Sequence, residues 1–334
     1  MDEIKVAIVG LGSVAQLVHL PNLSKIKSVK IQSVAEIKAS RRRAIAEKFN
    51  IPESYKDHHE LLEKSDVDAV IIATPTGLHK EIAIDCLNAR KDVLVEKPIA
   101  RNYKEASAIV QAAIKNKKNL MVGMNLRFRP DTLLLKTLIQ SGEIGDPFYA
   151  KAVWIRRQSS GEKWFMRREE AGGGVILDLG ISLLDLSLWL LDYPDVKSLS
   201  TQNYFQTTKT IEDTSVSFIR CSDSKIINIE TSWALPVEKD EFKLSIYGSK
   251  GSVISTPLHL YKKVEDKIVN LKPNLSDSPS QLFNKSYLNE LKSFIGAVRG
   301  LNPLFSTGER AVERLKVIEG MYRSAKKNQE IKIS

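Results

Sequence analysis

Cysteine is scarce in this sequence: Cys86 and Cys221 are the only two among 334 residues. They form no CxxC motif, and no Cys/His spacing of a metal site is present. Scarce cysteine, and an N-terminus that enters a strand pattern without a secretory signal, both favour a reducing, cytoplasmic location. Since no ligand cluster is visible in the sequence, we predict no metal site and do not expect a metal-dependent enzyme.

Apolar runs of membrane-spanning length are nearly missing, and the one stretch that approaches that length is Val175–Leu191. It contains Asp178 and Asp185. A charge near the bilayer centre costs ~3 kcal/mol, so such a segment inserts poorly. We therefore predict a buried helix and no membrane contact.

Nucleic-acid-binding signatures are also missing, although the chain has a net charge of +10. Its 50 Lys and Arg residues are spread along the chain and mixed with 40 acidic residues. We expect a generally basic surface that concentrates anionic substrates, and no nucleic-acid partner.

The chain contains two contrasting halves, and its 334 residues suggest two domains. Residues 1–124 alternate strand and helix patterns, which predicts a doubly wound, Rossmann-type parallel sheet in an α/β fold. The predicted strands are Ile4–Gly10, Lys30–Glu36, Asp68–Ala73, Asp92–Glu96 and Leu120–Gly123.

In residues 125–334 strand patterns recur without intervening helices, which predicts an α+β domain with a large, mostly antiparallel open sheet. The polar segment Val264–Ser280 has little periodicity and is predicted to be a loop. The predicted strands are Phe148–Arg156, Ser215–Cys221, Ile226–Ser232 and Phe242–Gly248, and the predicted helices are Ile181–Leu191, Leu282–Val298 and Glu309–Lys326.

A glycine motif, Gly10-x-Gly12-x-x-Ala15, follows the first predicted strand and opens a helix. In that context Gly10 permits a tight turn, Gly12 lets the backbone approach a pyrophosphate, and Ala15 permits close helix–strand packing. Ser13 and Val14 begin the helix, whose N-terminus faces the phosphate charge. The motif predicts a dinucleotide site; the simpler alternative is a glycine that only ends a strand.

Glu36 ends the second predicted strand, where a carboxylate accepts hydrogen bonds from the adenosine ribose hydroxyls and repels a 2′-phosphate. This position favours NAD. Arg41, Arg42 and Arg43 follow within a turn or two, and an arginine there would instead hold the 2′-phosphate of NADP. We predict that at least two of the three belong to a solvated helix face, with NAD as the cofactor and NADP as the alternative.

Thr74, Pro75 and Thr76 follow the third predicted strand, at the edge where doubly wound sheets bind ligands. They are predicted to line the cofactor. His79 lies in the first turn of the next helix, where it either reaches the nicotinamide ribose or is structural. Both interpretations stay open.

The tripeptide Glu96-Lys97-Pro98 ends another apolar strand. Such a strand would deliver Lys97 to a partly buried position, where the pKa of a lysine tends to fall. Pro98 fixes the local backbone and is a candidate for a cis bond. The position favours function over the alternative, a surface lysine before a proline turn.

Downstream lies the run Gly172-Gly173-Gly174-x-x-x-Asp178-x-Gly180-x-x-x-x-Asp185. Together with the glycine motif, the stretch Ala-Thr-Pro-Thr-x-x-His at 73–79 and Glu-Lys-Pro, it makes the chain resemble a known family from about Ile4 to the last helix. That family is named for glucose–fructose oxidoreductase, inositol dehydrogenase and a rhizopine-catabolism protein (Gfo/Idh/MocA). The resemblance implies a Rossmann domain and a C-terminal α/β domain for substrate binding, whose sheet commonly makes dimer or tetramer contacts. It also implies hydride transfer between NAD(P) and a hydroxyl-bearing carbon of a sugar, polyol or related compound.

By the same resemblance, Glu96 and Lys97 would contact the nicotinamide end and the substrate, with Lys97 hydrogen-bonded to the reacting oxygen. Asn125 would lie near the nicotinamide, and Asp178 would be the active-site aspartate. Trp164 and Arg168, just before the triple glycine, are candidate substrate-pocket residues.

Asp178 has a second interpretation, as the N-cap of a helix. The adjacent glycines, which would allow close approach of a ligand, favour a site role. Asp185 lies in a helix that is apolar nearly all round, and a buried carboxylate must be paired or hydrogen-bonded. We therefore predict a structural role for Asp185.

Ser182 departs from the family pattern, which has a histidine or sometimes a tyrosine four residues after the aspartate. A histidine there would share a helical face with Asp178 and take the proton as the hydride leaves. A serine hydroxyl can only hydrogen-bond or relay.

Three interpretations of this serine follow. Lys97 acts as the acid–base group with Ser182 or a water bridging, the substrate differs from simple polyols, or the protein is a non-catalytic cofactor- or sugar-sensing member of the fold. We favour the NAD(P)-dependent oxidoreductase, because Lys97 and Asp178 are both present and no DNA-binding domain is added.

Overall fold

The computed structural model describes residues 3–158, 163–273 and 277–333. The chain forms two compact units, each with its own sheet. The first unit comprises Met1–Phe128 and Phe283–Val312, and the second comprises Arg129–Leu282 and Glu313–Ser334. The boundary that we predicted between residues 124 and 125 divides the sequence into two consecutive stretches, and it stays a prediction.

A parallel sheet forms the centre of the first unit. Its strands are β1 (Ile4–Val9), β2 (Val29–Ala35), β3 (Glu53–Tyr55), β4 (Ala69–Ile72), β5 (Asp92–Glu96) and β6 (Leu120–Gly123). They pair in the order β3-β2-β1-β4-β5-β6, with every neighbouring pair parallel. The chain reverses its direction of travel across the sheet between β1 and β4, which is where doubly wound sheets bind ligands. The predicted Rossmann-type fold is confirmed.

Helical segments connect these strands. A π-helical segment at Ala15–His19 leads into α1 (Leu20–Leu23), and a 3-10 turn at Thr76–Leu78 leads into α4; the α-helices that follow α1 are α2 (Ala39–Lys48), α3 (His58–Lys64), α4 (His79–Asn88) and α5 (Tyr103–Asn116). Asp57 and Asn102 cap α3 and α5, because each side chain accepts a hydrogen bond from the backbone N–H three residues on. The strand β3 and the helix α3 were not predicted, because each is too short for its sequence to show a clear periodicity of apolar residues.

The second unit is built around a larger sheet. Its strands are β7 (Pro147–Ile155), β8 (Val196–Tyr204), β9 (Thr214–Cys221), β10 (Ile226–Ser232), β11 (Glu241–Gly248), β12 (Gly251–Ser255), β13 (Leu258–Val264), β14 (Lys267–Leu271) and β15 (Ile331–Lys332). They form a nine-stranded sheet in the order β14-β13-β12-β11-β7-β10-β9-β8-β15. The pair β7/β10 is parallel and the other neighbours are antiparallel, which confirms the predicted, mostly antiparallel sheet.

The remaining helices are α6 (Pro130–Gln140), α7 (Arg168–Ala171), α8 (Ile181–Leu190), α9 (Pro279–Val298) and α10 (Gly308–Lys327). Helix α8 packs on β7, β10 and β11, and all of its residues are buried. Within the described part of the chain, Arg168–Leu190 alone is long and apolar enough to cross a membrane, and its 18-residue apolar window is fully buried inside the protein. The predicted buried helix is confirmed.

The predicted loop at Val264–Ser280 is wrong in its first half. The strand β13 ends at Val264, the edge strand β14 occupies Lys267–Leu271, and α9 begins at Pro279. Every residue of β14 is exposed. A strand that buries neither face has no alternation of polar and apolar residues, so its sequence carries no period of two.

Candidate functional site

The two glycines of the first motif meet different surroundings. Gly10 has a φ of +90°, and a Cβ on it would lie 2.8 Å from the carbonyl oxygen of Ala73. Its backbone N–H donates a hydrogen bond to the carbonyl of Ala35 at 2.9 Å. A Cβ on Gly12, by contrast, would meet no described atom within 4 Å. Gly10 therefore serves the packing of β1 against its neighbours, and Gly12 leaves an open approach to the backbone.

Glu36 is held rigidly at the carboxyl end of β2. The side chain is buried, and its carboxylate accepts hydrogen bonds from the backbone N–H of Leu11 at 3.1 Å and of Lys38 at 2.9 Å. Arg41 lies 3.4 Å from the same carboxylate, and Arg42 donates to the Glu36 carbonyl oxygen at 2.6 Å. The prediction that at least two of the three arginines only face solvent is wrong, because two of them contact Glu36.

The loop after β4 carries Thr74, Pro75 and Thr76. The hydroxyl oxygen of Thr74 is buried and has no hydrogen-bond partner in residues 3–158, 163–273 and 277–333. Buried polar atoms are usually paired, and the Thr74 side chain lies against Gly10 of the glycine motif, so its orphaned hydroxyl fits a site that a polar ligand completes. Ser13 and Val14 at the start of the first helix are exposed, so a ligand at the carboxyl edge of the sheet can reach them.

His79 is 1% exposed and lies between two backbone carbonyl oxygens. Its Nε2 is 2.8 Å from the carbonyl of Thr74, and its Nδ1 is 2.9 Å from the carbonyl of Pro98. Burial lowers the pKa of this imidazole. The ring therefore fixes the loop after β4 to the segment after β5, which favours the structural interpretation over contact with the nicotinamide ribose.

A buried histidine orients Glu96 at the end of β5. His19, fully buried in the π-helical segment, donates from Nε2 to the Glu96 carboxylate at 2.8 Å, and its ring meets Tyr287 edge-on at 5.9 Å. The other carboxylate oxygen accepts the backbone N–H of Lys97 at 3.2 Å. Burial acts to raise the pKa of Glu96, but the hydrogen bond from His19 and the charges of His19 and Lys97 outweigh it, so the pKa is lowered and the carboxylate stays ionised.

Lys97 is half-buried and directly follows Glu96, whose carboxylate is fixed, at the carboxyl edge of the parallel sheet. The Lys97–Pro98 peptide is cis. Asn125, which follows β6, donates to the hydroxyl of Ser286 at 3.0 Å. Its amide is therefore oriented from α9, while its carbonyl oxygen keeps its acceptor capacity.

In the second unit the triple glycine has a packing explanation. Gly172 ends α7 with a φ of +87°. A Cβ on Gly173 would collide with the hydroxyl of Tyr322, and one on Gly174 would collide with the backbone of Glu212. Protein atoms thus fill the space that the glycines leave, so our argument that they admit a ligand is wrong.

Glu212 organises the start of the next helix. One oxygen of its buried carboxylate accepts the N–H of Gly174 at 2.9 Å and of Ile176 at 3.1 Å, and the hydroxyl of Tyr322 donates to it at 2.8 Å. Burial raises the pKa of Glu212, against the hydrogen bonds that favour its charged form. This carboxylate satisfies N–H groups that a helix cap would otherwise bind.

Asp178 lies inside the π-helical segment Ile176–Gly180, so the N-cap interpretation is wrong. Its carboxylate accepts the indole N–H of Trp233 at 3.2 Å. Trp233 belongs to a cluster with Val175 and Leu179 against which Phe165 packs. The result is a carboxylate, 8% exposed, beside aromatic rings. Short π-helical segments of this kind are frequent at functional sites.

Ser182 is buried in the first turn of α8. Trp164 lies in a 3-10 turn, Lys163–Met166, edge-on to Phe165 at 4.9 Å. The guanidinium of Arg168 lies 5.4 Å from the ring centre of Tyr322 and is exposed. Residues 159–162, which precede these two candidates, lie outside the described residues.

Asp185 has the structural role predicted for it. Its carboxylate pairs with Arg314 of α10 at 2.6 Å, and both side chains are at most 2% exposed. An ion pair this deeply buried is costly to break, because either partner alone would be an uncompensated charge.

Two family models match the chain. The description "Oxidoreductase family, NAD-binding Rossmann fold" matches residues 4–124, and "Oxidoreductase family, C-terminal alpha/beta domain" matches residues 136–333; both are models of the Gfo/Idh/MocA family. The chain belongs to the Gfo/Idh/MocA oxidoreductase family. The resemblance inferred from the motifs is confirmed.

Members of this family with known activities are similar over nearly the whole chain. D-Glucoside 3-dehydrogenase of Escherichia coli is 26% identical, with 97% of this chain and 96% of that protein covered. Myo-inositol 2-dehydrogenase of Thermotoga maritima is also 26% identical, with 91% of each chain covered. Among solved structures, levoglucosan dehydrogenase in complex with NADH matches with a TM-score of 0.90 over 100% of both chains, and at 18% identity this shows the fold alone.

Three residues of this Gfo/Idh/MocA chain that hold predicted site residues, or the helix that carries one, were not predicted. His19 lies four positions after Ala15, on the helix face that packs against the strands, so helical spacing would have indicated it. Trp233 directly follows β10. Glu212 carries no signal in the sequence, since its partners at 174, 176 and 322 are distant along the chain.

Proposed function

We propose that this protein is an NAD-dependent dehydrogenase that acts on a secondary alcohol of a sugar or polyol, or reduces the corresponding ketone. The observation that carries the proposal is the arrangement at β5. There a buried histidine fixes Glu96, and the next residue is a half-buried lysine at the ligand-binding edge of a Rossmann sheet. Membership of an oxidoreductase family supports it.

The proposed cofactor is NAD rather than NADP. Gly10, Gly12, Ser13 and Val14 would receive the pyrophosphate at the helix N-terminus. Glu36 would accept hydrogen bonds from the adenosine ribose. Its buried carboxylate would repel a 2′-phosphate, and Arg41 is already paired with it. Thr74, Pro75, Thr76, Glu96 and Asn125 would line the rest of the cofactor.

NAD, when bound, would supply the acceptor for the hydride that leaves the alcohol carbon. Lys97 would hydrogen-bond the reacting oxygen and take its proton, directly or through the Ser182 hydroxyl or a water, so that the products are a ketone, NADH and a proton. General acid–base catalysis of this kind contributes ~10²–10⁴-fold. Glu96 and His19 are positioning residues for Lys97. Asp178 would accept a hydrogen bond from a substrate hydroxyl.

The substrate class is proposed from the relatives and from the second unit. The relatives act, by name, on a D-glucoside and on myo-inositol. In this chain a buried carboxylate lies beside aromatic side chains, with Trp164 and Arg168 nearby in sequence. Apolar surfaces with a few well-placed polar groups are typical of small-molecule sites. We propose a cytoplasmic protein that forms a homodimer or homotetramer through the large sheet.

Ser182 favours a second candidate, a protein of the same fold that senses a sugar or cofactor without turnover. The two candidates differ in whether reduced nicotinamide accumulates. We would follow the absorbance of NADH while mixing the protein with NAD and a panel of sugars, polyols and inositols, and with NADH and the keto forms.

The decisive variant is Lys97→Ala, with Lys104→Ala as its control. Lys104 is an exposed lysine on α5, so this control makes the same change of charge. We expect turnover by the parent protein and by Lys104→Ala, and a loss of ~10²–10⁴-fold in Lys97→Ala with NAD affinity retained. Equal turnover in both variants would contradict the role of Lys97. Tight NAD binding without turnover on any compound would favour the sensor.

A further inference from the structure

Four side chains of the first unit meet on the outer side of helices α3 and α4. His58 and His59 are the first two residues of α3, and Glu81 and Asp85 lie one turn apart on α4. Each offers one ligand atom, and these atoms all lie within 4.8 Å of one another. The sequence did not indicate this cluster, because the strand β4 separates the two histidines from the two carboxylates along the chain and the four residues share no motif.

Asp85 is the centre of this cluster. His58 Nε2 lies 2.9 Å from its Oδ2, and His59 Nδ1 lies 3.9 Å from the same oxygen. The other nitrogen of His59 is 3.8 Å from a carboxylate oxygen of Glu81. The two imidazole rings stack, with centroids 3.9 Å apart and planes tilted by 36°. Two imidazoles and two carboxylates therefore converge on one point.

The accessibility of these groups suits the capture of an ion from solution. The side chains of His59 and Glu81 are 65% and 64% exposed, whereas His58 is 9% exposed and already fixed on Asp85. In a tetrahedral zinc site, bonds of ~2.0–2.1 Å place ligand atoms ~3.3 Å apart. The four ligand atoms would have to come closer together to reach this spacing. His58 and Asp85 are already in contact, and the exposed side chains of His59 and Glu81 can adjust, so the helices need not move.

We propose that His58, His59, Glu81 and Asp85 form a binding site for a zinc-like divalent transition-metal ion that cross-links α3 to α4. Imidazole nitrogen suits zinc and its neighbours, whereas magnesium and calcium prefer oxygen ligands throughout. The site uses none of the residues proposed for hydride transfer. Its role is therefore separate from the reaction, as a clamp on the edge of the Rossmann unit.

The test is a titration of the chelator-treated full-length protein with Zn²⁺ by calorimetry, and with Co²⁺ by visible absorbance. We expect one ion per chain and a tetrahedral Co²⁺ spectrum. Asp85→Asn and His59→Ala should each weaken binding at least about tenfold. Because His59 is exposed, His59→Ala should leave the metal-free protein folded, and its unfolding temperature with EDTA should match that of the parent.

Two variants serve as controls. His259→Ala removes a histidine from β13 of the other unit, and Glu63→Gln removes an exposed carboxylate from α3 itself. Both should bind Zn²⁺ as the parent does, and Zn²⁺ should raise the unfolding temperature of the parent and of these controls but not of His59→Ala. Undiminished binding by His59→Ala and Asp85→Asn, equal losses in the controls, or no binding by the parent would each overturn the proposal.

Discussion

Gly10 and Gly12 are two residues apart, and an added side chain would meet different surroundings at each of them. At Gly10 a side chain would meet the Ala73 carbonyl, and its φ of +90° disfavours any other residue. At Gly12 a side chain would meet open space. The first glycine is needed to fold the turn, while the second is needed only if something approaches the backbone from outside.

We therefore expect the two alanine variants to separate stability from binding. Gly10→Ala should destabilise the protein by ~1–3 kcal/mol, as overpacking in a tight contact does. Gly12→Ala should keep the parental unfolding temperature and lose about tenfold or more in NAD affinity, ~1.4 kcal/mol, because its methyl group occupies the approach to the pyrophosphate. Thermal unfolding and calorimetric titration with NAD measure both quantities. Parental NAD affinity in Gly12→Ala would exclude a dinucleotide at this turn.

Glu36 should determine the choice between NAD and NADP. Leu11 and Lys38 donate to different oxygens of Glu36, so the side chain of Glu36→Gln can still accept one of these N–H groups. It no longer repels a 2′-phosphate and no longer neutralises Arg41. Because juxtaposed like charges cost several kcal/mol, we expect the ratio of NAD to NADP affinity to fall about tenfold or more.

The control for this change is Glu47→Gln, an exposed carboxylate on α2, which should leave the ratio as it is. Dissociation constants for both cofactors, measured at one salt concentration, give the answer. An unchanged ratio in Glu36→Gln would place the adenosine ribose elsewhere.

At the scale of single elements, the helix that carries Asp178 begins in an unusual way. Its first N–H groups are satisfied by Glu212, a residue from a distant loop, rather than by a residue that precedes the helix. The hydrogen bonds from Gly174, Ile176 and Tyr322 all go to one oxygen of the Glu212 carboxylate. A glutamine can supply that oxygen, so Glu212→Gln removes the charge and keeps the bonds.

The pH dependence of Glu212→Gln follows from the raised pKa. Burial lifts the pKa of Glu212 in the folded state above its ordinary value of 4.5, so folding favours the protonated acid. That contribution is fully present below pH 4.5 and is lost as the pH rises through the folded-state pKa. The glutamine variant has no such loss, so its stability relative to the parent should increase above pH 4.5 and then level off.

Tryptophan fluorescence during urea unfolding measures the stability of the second structural unit, which contains Glu212. All four tryptophans belong to that unit: Trp154, Trp164, Trp189 and Trp233. Tyr322 has a pKa well above 10 through burial, so it does not titrate over the range of the test. A variant whose stability relative to the parent falls, instead of rising, with increasing pH would show that the negative charge itself holds the helix start.

Strands that bury nearly every residue were predictable from the sequence, and a fully exposed strand was not. The strands β1, β4 and β5 are apolar runs that bury nearly every residue, and their predicted bounds agree with the structure to within a residue or two. The edge strand β14 is fully exposed and was predicted as loop. Periodicity reports burial, so it cannot report a strand that is held by backbone hydrogen bonds alone.

At the scale of the whole molecule, motifs located the candidate site but not the partners that hold it. The ends of strands indicated Glu36, Thr74 and Lys97, because a parallel sheet collects its strand ends at one edge. Helical spacing places His19 on the face toward the strands, but it does not indicate Glu96 as its partner. No local pattern indicated that His58 and Asp85 would meet. Such contacts depend on how helices pack after the sheet forms, and a single sequence does not encode them in any short spacing.

The large sheet of the second unit has one covered and one open face. Side chains such as Ile229 and Leu244 are buried on the face that α8 covers. The opposite face carries Val216, 41% exposed, and the stacked rings of Tyr149 and Tyr247, 5.3 Å apart. Apolar and aromatic side chains on an open sheet face, mixed with charged ones, are typical of interfaces between subunits.

We expect the protein to form a dimer or tetramer through this open face. Val216→Asp places a charge at the apolar part of the face and should break the assembly through it, while Ile114→Asp, at a still more exposed apolar residue on α5, should not. Size-exclusion chromatography with light scattering gives the mass of each variant at matched concentrations. A monomeric parent protein at tens of micromolar would contradict assembly through the sheet, and a Val216→Asp variant with the same mass as the parent would move the interface to another surface. The mass of the parent also separates dimer from tetramer, because a tetramer needs a second interface that Val216→Asp would leave intact, and the variant would then be a dimer rather than a monomer.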